Sequence, residues 1–408
     1  MKALVLAGGL PQIELLKQLR SRGITTILCD GNANALARPY ADVFYQIPIF
    51  DIEIVRDLAV KEQVDFLITV CADQVLSVVA QVSQMLRLPC YIDYETAQNV
   101  SDKIKMKRIF SENDIPTSAY VEMETLDWSK VAKLRYPMVV KPVDAYSSRG
   151  VRKAWNAQEL EQYFREAAQI SRTGGVIVEE FVLGDEISVD IYIKNGKAHL
   201  LCVSNSEKIA DEDRFIIFRG RYPVAASQKV MDQIQDIAQK IADAFGLVNS
   251  PMLIQMINDG EHVSVLEFCA RTGGNMKYLL INHVCGFDVI KAVIDLTVGK
   301  EVELNLRGPK ANYIVNDFIY CMPGVFDRLE GFEELFREGT LADYHAIRPQ
   351  GMKINGVSSS SDRIAGITVM ADTLEEFNRK RKIIVDSVKI LDTEGNDMMR
   401  HDLLPELK

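Results

Sequence analysis

Lys141 stands in the run Met138-Val139-Val140-Lys141-Pro142, whose β-branched residues favour a strand and would hold an ammonium rigidly against phosphate oxygens. The loop that follows, Asp144-Ala145-Tyr146-Ser147-Ser148-Arg149-Gly150, offers hydroxyls at Ser147 and Ser148, a cation at Arg149 and a closing Gly150. Such a loop can cover the β- and γ-phosphates of a nucleotide, and a plain polar loop between two strands has the same composition. Glu179 and Glu180 are adjacent in the apolar strand Gly175 to Phe181, so their side chains leave on opposite faces. An unpartnered buried carboxylate is costly, so one of the two must meet a ligand or a cation.

A second acid-bearing element is the hairpin Met252 to Phe268. With Asn258-Asp259-Gly260 as a three-residue loop, Ile257 opposes Glu261, Gln255 opposes Val263, and Gln255, Glu267 and Cys269 share one face. Oxygen ligands from Gln255 and Glu267 suit Mg²⁺, which keeps several waters and bridges substrate phosphates. The alternative is that Glu267 is simply paired with Arg271, four residues on.

The elements that must position these groups follow from the hydrophobic pattern. From Lys2 to Leu88 short apolar runs alternate with amphipathic helices, which predicts right-handed βαβ units around a parallel sheet. Gly8-Gly9 and Pro11 turn the first strand into a helix, but the full GxGxxG is absent. Asp30 mimics the ribose-binding acid of a dinucleotide fold and equally fits an acid at a strand end. A helix is expected to start at Ser101, and a strand-rich α+β region follows, with a hairpin turning at Lys194-Asn195-Gly196-Lys197. Strands near Tyr313 to Tyr320 and Ile364 to Met370 and a helix from Thr373 close the chain.

Composition bounds the class. The chain has 408 residues, enough for two or three domains, and is 48% hydrophobic and 25% charged, as in soluble globular proteins. No apolar run is long enough to span a membrane and no signal peptide is evident, so a cytoplasmic location is expected. The net charge of -10 argues against a general nucleic-acid binder. Seven scattered cysteines without CxxC indicate neither a disulfide framework nor a zinc site.

The ordered set of Asp102-Lys103, Lys141-Pro142, Ser148-Arg149-Gly150-Val151, Glu179 to Glu186, Gln255 and Glu267 to Gly274 resembles the ATP-grasp superfamily. It is most similar to the carboxylate-amine ligase branch, which includes L-amino-acid ligases, and resembles carbamoyl-phosphate synthetase and biotin carboxylase more distantly. The resemblance implies a fold of class α/β and α+β: an N-terminal βαβ pre-ATP-grasp domain over residues 1–100, a central ATP-grasp domain over 101–305 and a small C-terminal α+β domain over 306–408.

It also implies roles. Lys103, Lys141 and the loop Ser147, Ser148, Arg149 and Gly150 would bind phosphates, Glu179 the adenine edge, the backbone of Glu180 and Val182 the hinge, and Glu186 the ribose. Gln255 and Glu267 would hold Mg²⁺, for which Mn²⁺ can substitute, and Arg271 with Lys141 would serve catalysis. The implied activity is an ADP-forming ligation in which ATP converts a small carboxylate, such as an amino acid, to an acyl phosphate that an amine or thiol attacks. The implied partners are small-molecule carboxylate and amine substrates, with no nucleic acid or membrane, and a homodimer is compatible. Other readings are a bicarbonate-activating enzyme, a nucleotide-binding protein without turnover, and an NAD-dependent oxidoreductase.

Two positions depart from the family pattern. Cys269 replaces the asparagine of Glu-x-Asn-x-Arg, and Gln255 stands where many members have an acid. Arg219 and Arg221 in Phe218-Arg219-Gly220-Arg221-Tyr222-Pro223 read as an exposed basic hairpin, or else as a site for a substrate carboxylate. His283 reads as a helix residue satisfied locally.

Overall fold

The computed structural model of the protein describes residues 1–145, 148–210 and 214–407. Ser147 of the expected phosphate loop lies outside the described residues.

Four parallel strands, β1 (Lys2–Leu6), β2 (Thr25–Asp30), β3 (Val43–Gln46) and β4 (Phe66–Ile68), pair in the order β3-β2-β1-β4. The connecting helices α1 (Leu10–Ser21), α2 (Ile52–Glu62) and α3 (Asp73–Leu86) bury the apolar strands, as a parallel sheet requires. Gly9 caps α1 and Pro11 sits in its first turn. Asp30 is spent inside this turn: its carboxylate accepts from the Gly8 amide at 2.7 Å and the Asn32 amide at 2.7 Å. It braces a loop and does not present itself as a free ribose acceptor.

Next come α4 (Tyr94–Ser101) and α5 (Lys103–Glu112). The helix expected to open at Ser101 opens one residue later. Asp102 is the true cap, accepting from the Ile104 amide at 2.9 Å and the Lys105 amide at 3.1 Å, whereas Ser101 ends α4. A small antiparallel sheet follows, built from β5 (Tyr120–Met123), β6 (Met138–Pro142), β7 (Arg152–Ala154) and β8 (Val176–Glu180) in the order β5-β8-β6-β7. Its helices are α6 (Trp128–Val131) and α7 (Ala157–Ile170), whose apolar side covers the sheet.

The remaining strands are β9 (Asp185–Lys194), β10 (Lys197–Lys208), β11 (Ile217–Tyr222), β12 (Ser250–Asn258), β13 (Val263–Cys269), β14 (Tyr313–Ile319), β15 (Gly324–Glu330), β16 (Asp343–Ala346), β17 (Lys353–Ile354), β18 (Ala365–Ala371) and β19 (Lys389–Asp392). Eight of them form one sheet in the order β13-β12-β9-β10-β11-β14-β18-β16, and β17-β15-β19 form a second. Because β14 pairs with β11, the central region and the chain beyond residue 305 share a sheet. The β9–β10 turn is Asn195-Gly196, both at positive φ (52° and 77°), the two-residue geometry that matches strand twist.

Directly paired residues lie on one face of a sheet, so the register sorts the side chains. Ile187, Val189 and Ile254 pack under α8 (Gln228–Ala244). The opposite face carries Glu267 opposite Gln255, Gln255 opposite Ser188, Ser188 opposite Ser204, and Asp190 two residues along from Ser188. Helices α9 (Lys277–Cys285) and α10 (Val289–Thr297) cover part of this polar face.

Arg219 and Arg221 lie on the α8 face, because Arg221 pairs with Asn205 and Asn205 with Ile187. Neither expectation for them holds. Arg219 is 0% exposed, forked onto Asp317 of β14, and donates to the Pro405 carbonyl at 2.9 Å, while Arg221 is held by Glu207 at 2.7 Å. They are structural ion pairs on the wrong face to meet a substrate at Glu267. Removing one partner of a buried pair strands the other charge, so Arg219→Ala should cost about 3–5 kcal/mol in denaturant unfolding. Arg221→Ala, at a more exposed pair, should cost at most about 1 kcal/mol in the same measurement.

Candidate functional site

Glu179 supplies the centre of the site. Its carboxylate, 3% exposed, lies 2.8 Å from Lys141 Nζ on β6 and 3.0 Å from Lys107 Nζ on α5. Burial would raise this carboxyl, but Lys141 and then Lys107 outweigh it and bring it down to about 2. Lys107 is itself pushed down to about 8, by burial first, with Glu179 opposing. It also donates to Thr117 Oγ1 at 2.5 Å and Ser118 Oγ at 3.2 Å. Glu180 leaves on the other side of β8, as its neighbour position requires, and pairs with Arg135 at 2.9 Å. The resemblance gave the Glu179 side chain to an adenine edge; here it is closed between two lysines.

Lys103, the first residue of α5, spans two elements. Its ammonium lies 3.1 Å from Glu267 on β13 and donates to the Ala145 carbonyl at 3.0 Å, at the entry to the phosphate loop. Glu267 is lowered below the ordinary carboxylate range: burial acts against this, and Lys103 and then Lys141 overcome it. In the loop Gly150 has φ +73°, and a Cβ there would stand 2.8 Å from Ile170 Cδ1, so both backbone and space demand glycine. Ser148 is also at positive φ, 58°, and Arg149 follows it in the same turn.

The hairpin reaches the expected face by a different register. Its loop is 259–262, Asn258 opposes Val263, and a bulge after Gln255 inserts Leu266, so Gln255 pairs directly with Glu267. The three-residue loop is therefore corrected, while the shared face of Gln255, Glu267 and Cys269 stands. Gln255 donates its amide to Glu186 at 3.1 Å, which leaves its carbonyl oxygen for a cation, and Lys208 holds the other Glu186 oxygen at 2.8 Å. Among the described residues no group of three or more His, Cys, Asp or Glu could hold a metal alone. Two oxygen donors side by side at the lysine cluster fit Mg²⁺, which takes one or two protein oxygens and completes its shell with water and phosphate.

Gly184, at φ +141°, lets the chain between β8 and β9 cross the end of β12, since a Cβ would stand 2.4 Å from the Asn258 carbonyl. The half-buried Phe181 and Val182 precede it. Phe181 stacks on Phe215 with centroids 6.2 Å apart, and Lys153 lies 3.8 Å from the Phe181 ring. Lys208, which holds Glu186, lies 5.5 Å from the centre of the Phe215 ring, so this aromatic pair stands beside Glu186.

Arg271 does not pair with Glu267. It follows the end of β13 and forks onto Asp73, the first residue of α3, through Nε and Nη2, while Nη1 donates to the Thr272 carbonyl at 2.7 Å. Among the described residues three of its five N–H groups are thus committed, and one on each terminal nitrogen remains. Asp73 is held below the usual carboxylate range, Arg271 overcoming its burial. Cys269, buried beside this pair, is pushed far up by burial and supplies no thiolate. His283 is satisfied, but by distant residues: Asp343 at 2.6 Å and Lys310 at 3.0 Å.

The sequence reading missed Lys107, Asp73 and Lys208. Lys107 was within reach, since it lies four residues after Lys103 and so on the same side of α5. Asp73 carried no local signal beyond an acid at a helix start, because its partner is 198 residues away.

Lys103 and Lys141, the paired Glu267 and Gln255, and the Phe181–Phe215 pair are the groups the structure offers to a ligand here. Residues 134–278 match the ATP-grasp domain family. Its relatives include the carbamoyl phosphate synthase large chain of Clostridium acetobutylicum, 24% identical over 217 residues; that match covers 52% of this chain and 20% of the relative, so this chain spans about a fifth of it. The structure of an L-amino acid ligase from Bacillus licheniformis superposes with TM-score 0.79 at 20% identity, covering 96% of this chain and 99% of the other. The biotin carboxylase domain of Hydrogenobacter thermophilus 2-oxoglutarate carboxylase, in complex with MgADP and bicarbonate, gives 0.79 at 16% identity, covering 99% and 92%. Both likenesses extend the shared fold over nearly the whole chain. Among the described residues no helix is long and apolar enough to cross a membrane.

The lysines around Glu179 make a pH test. A carboxyl lowered from 4.5 to about 2 contributes stability that is fully present above the upper value and lost as pH falls through the lower. The unfolding free-energy gap between the wild type and Glu179→Gln should therefore be widest near neutrality and narrow steadily on acidification from about 4.5 towards 2. Denaturant titrations at a series of pH values read it; a gap that stays constant across that window would contradict the assignment.

Proposed function

We propose that the chain is an ADP-forming ligase that uses ATP to activate a small carboxylate as an acyl phosphate and passes the acyl group to an amine. The observation that carries this reading is the convergence of Lys103, Lys141, Gln255, Glu267 and the open fork of Arg271 beside one face of the eight-stranded sheet. The three regions 1–100, 101–305 and 306–408 would then supply a substrate-side domain, the nucleotide site and a supporting domain. The Mg²⁺-nucleotide in the similar biotin carboxylase domain supports the choice of metal and nucleotide.

Each residue has a physical task. Lys103 and Lys141 are held by carboxylates in a partly dry site, so their charge is already placed when phosphates arrive and little reorganisation is needed. Glu267 and Gln255 would hold Mg²⁺, which when bound neutralises the charge on the transferring phosphoryl group. Glu186 would accept from the ribose hydroxyls, with the base against Phe181. The two remaining N–H groups of Arg271 form a fork suited to an acyl phosphate oxygen and to the oxyanion that appears when the amine attacks. Asp73 fixes the plane of that fork, so the N-terminal region acts on the chemistry through Arg271.

Phosphate release from ATP, screened over pairs of amino acids, small acids including bicarbonate, and amines, tests this reading. Glu267→Ala should abolish release while thermal unfolding shows a folded protein; normal turnover in that variant would place the metal elsewhere. Arg271→Lys keeps charge without a fork, so product formation should fall by about two orders of magnitude with ATP affinity retained, the scale of one lost oxyanion donor. Unchanged product formation would leave Arg271 as a structural partner of Asp73.

A further inference from the structure

Lys277 has no part in the mechanism above, yet it reaches the same polar face. After β13 the chain passes over that face: a Cβ on Gly273 would stand 3.5 Å from Leu253 Cδ2, and Leu253 pairs with both Cys269 and Asp190. The same Cβ would fall 2.7 Å from Lys277 Cγ, so glycine at 273 leaves the space that the lysine stem fills. From the first position of α9, Lys277 Nζ lies 3.0 Å from Asp190 Oδ2 on β9 and donates to Ser204 Oγ on β10 at 2.6 Å.

Three facts distinguish this lysine from a simple counter-ion. Its ammonium has three N–H donors and, among the described residues, gives one in a hydrogen bond to Ser204 while ion-paired with Asp190, just as Arg271 keeps two of five. Its side chain and that of Arg271 are each 13% exposed, so neither is sealed. Asp190, whose carboxyl burial raises, is opposed by Lys277 and then by Arg271, so both cations bear on the same point. Lys277 reaches β9 and β10 from α9, and Arg271 follows the end of β13, which is two strands from β9 in the same sheet.

We propose that Arg271 and Lys277 form a two-point anion receptor, so that the activated substrate is a dicarboxylate or an amino dicarboxylic acid. One carboxylate sits at Arg271 for activation and the second on Lys277. This rests on the ligase reading for the role of Arg271. The ion pair with Asp190 and the hydrogen bond to Ser204 fix the ammonium, and a remaining N–H is what the substrate takes.

Calorimetric titration of the full chain with glutarate and with pentanoate, in which a methyl group replaces the second carboxylate, tests the receptor directly. Glutarate should bind at least about tenfold more tightly, the lower end of what one hydrogen bond to a charged group supplies. That preference should persist in Asp190→Asn and vanish in Lys277→Met and in the Asp190→Asn/Lys277→Met double variant, which removes the buried pair together and protects the fold. Equal affinity, absence of binding by both acids, or a preference that survives in the double variant would overturn the proposal. Failure of glutarate to drive phosphate release, with its selective binding intact, would count against the ligase reading and leave the receptor standing.

Discussion

The cost of burying charge governs this site. Glu179 is almost inaccessible and is tolerated because Lys141 and Lys107 neutralise it from two different elements. The same exchange fixes the lysines, since an ammonium pinned by a buried carboxylate cannot swing away. Lys141 ties β6 to β8, Lys107 ties α5 to β8, and Lys103, one turn earlier on α5, reaches the large sheet through Glu267. A nucleotide arriving there would meet cations that the fold has already placed.

Much of the site was legible because it depends on local periodicity. Adjacent glutamates in a strand must part, and Glu179 turned to lysines while Glu180 turned to Arg135. The alternation of strand and helix gave the parallel N-terminal sheet, and Gly8-Gly9 with Pro11 gave its first turn. What escaped was non-local or geometrically fine. The hairpin put Gln255 opposite Glu267 only through a bulge at Leu266, which no residue type announces. Arg219 looks exposed in a run with Arg221 and Gly220, but its place in the middle of the eight-stranded sheet opposite Asp317 follows from strand order, which the sequence does not state.

The N-terminal region reaches the site through a single carboxylate, that of Asp73. Asp30 closes the first turn and is unavailable for a ribose, so the feature that suggested a dinucleotide fold is an internal brace. Asp73, by contrast, extends from α3 to orient Arg271. With Cys269 in place of the asparagine of the ATP-grasp pattern and its thiol kept protonated by burial, the oxygen donors left to a metal would be those of Glu267 and Gln255. Metal affinity would then depend strongly on the nucleotide that shares the ion.

That dependence gives the most direct test of the central claim, that this cage of cations and oxygens is built for a Mg²⁺-nucleotide. Calorimetric titration of the protein with ATP, with and without Mg²⁺, and separately with NAD, measures it. The account predicts ATP binding that Mg²⁺ strengthens and that Lys141→Met weakens, with no heat from NAD. Binding of NAD without binding of ATP would contradict it.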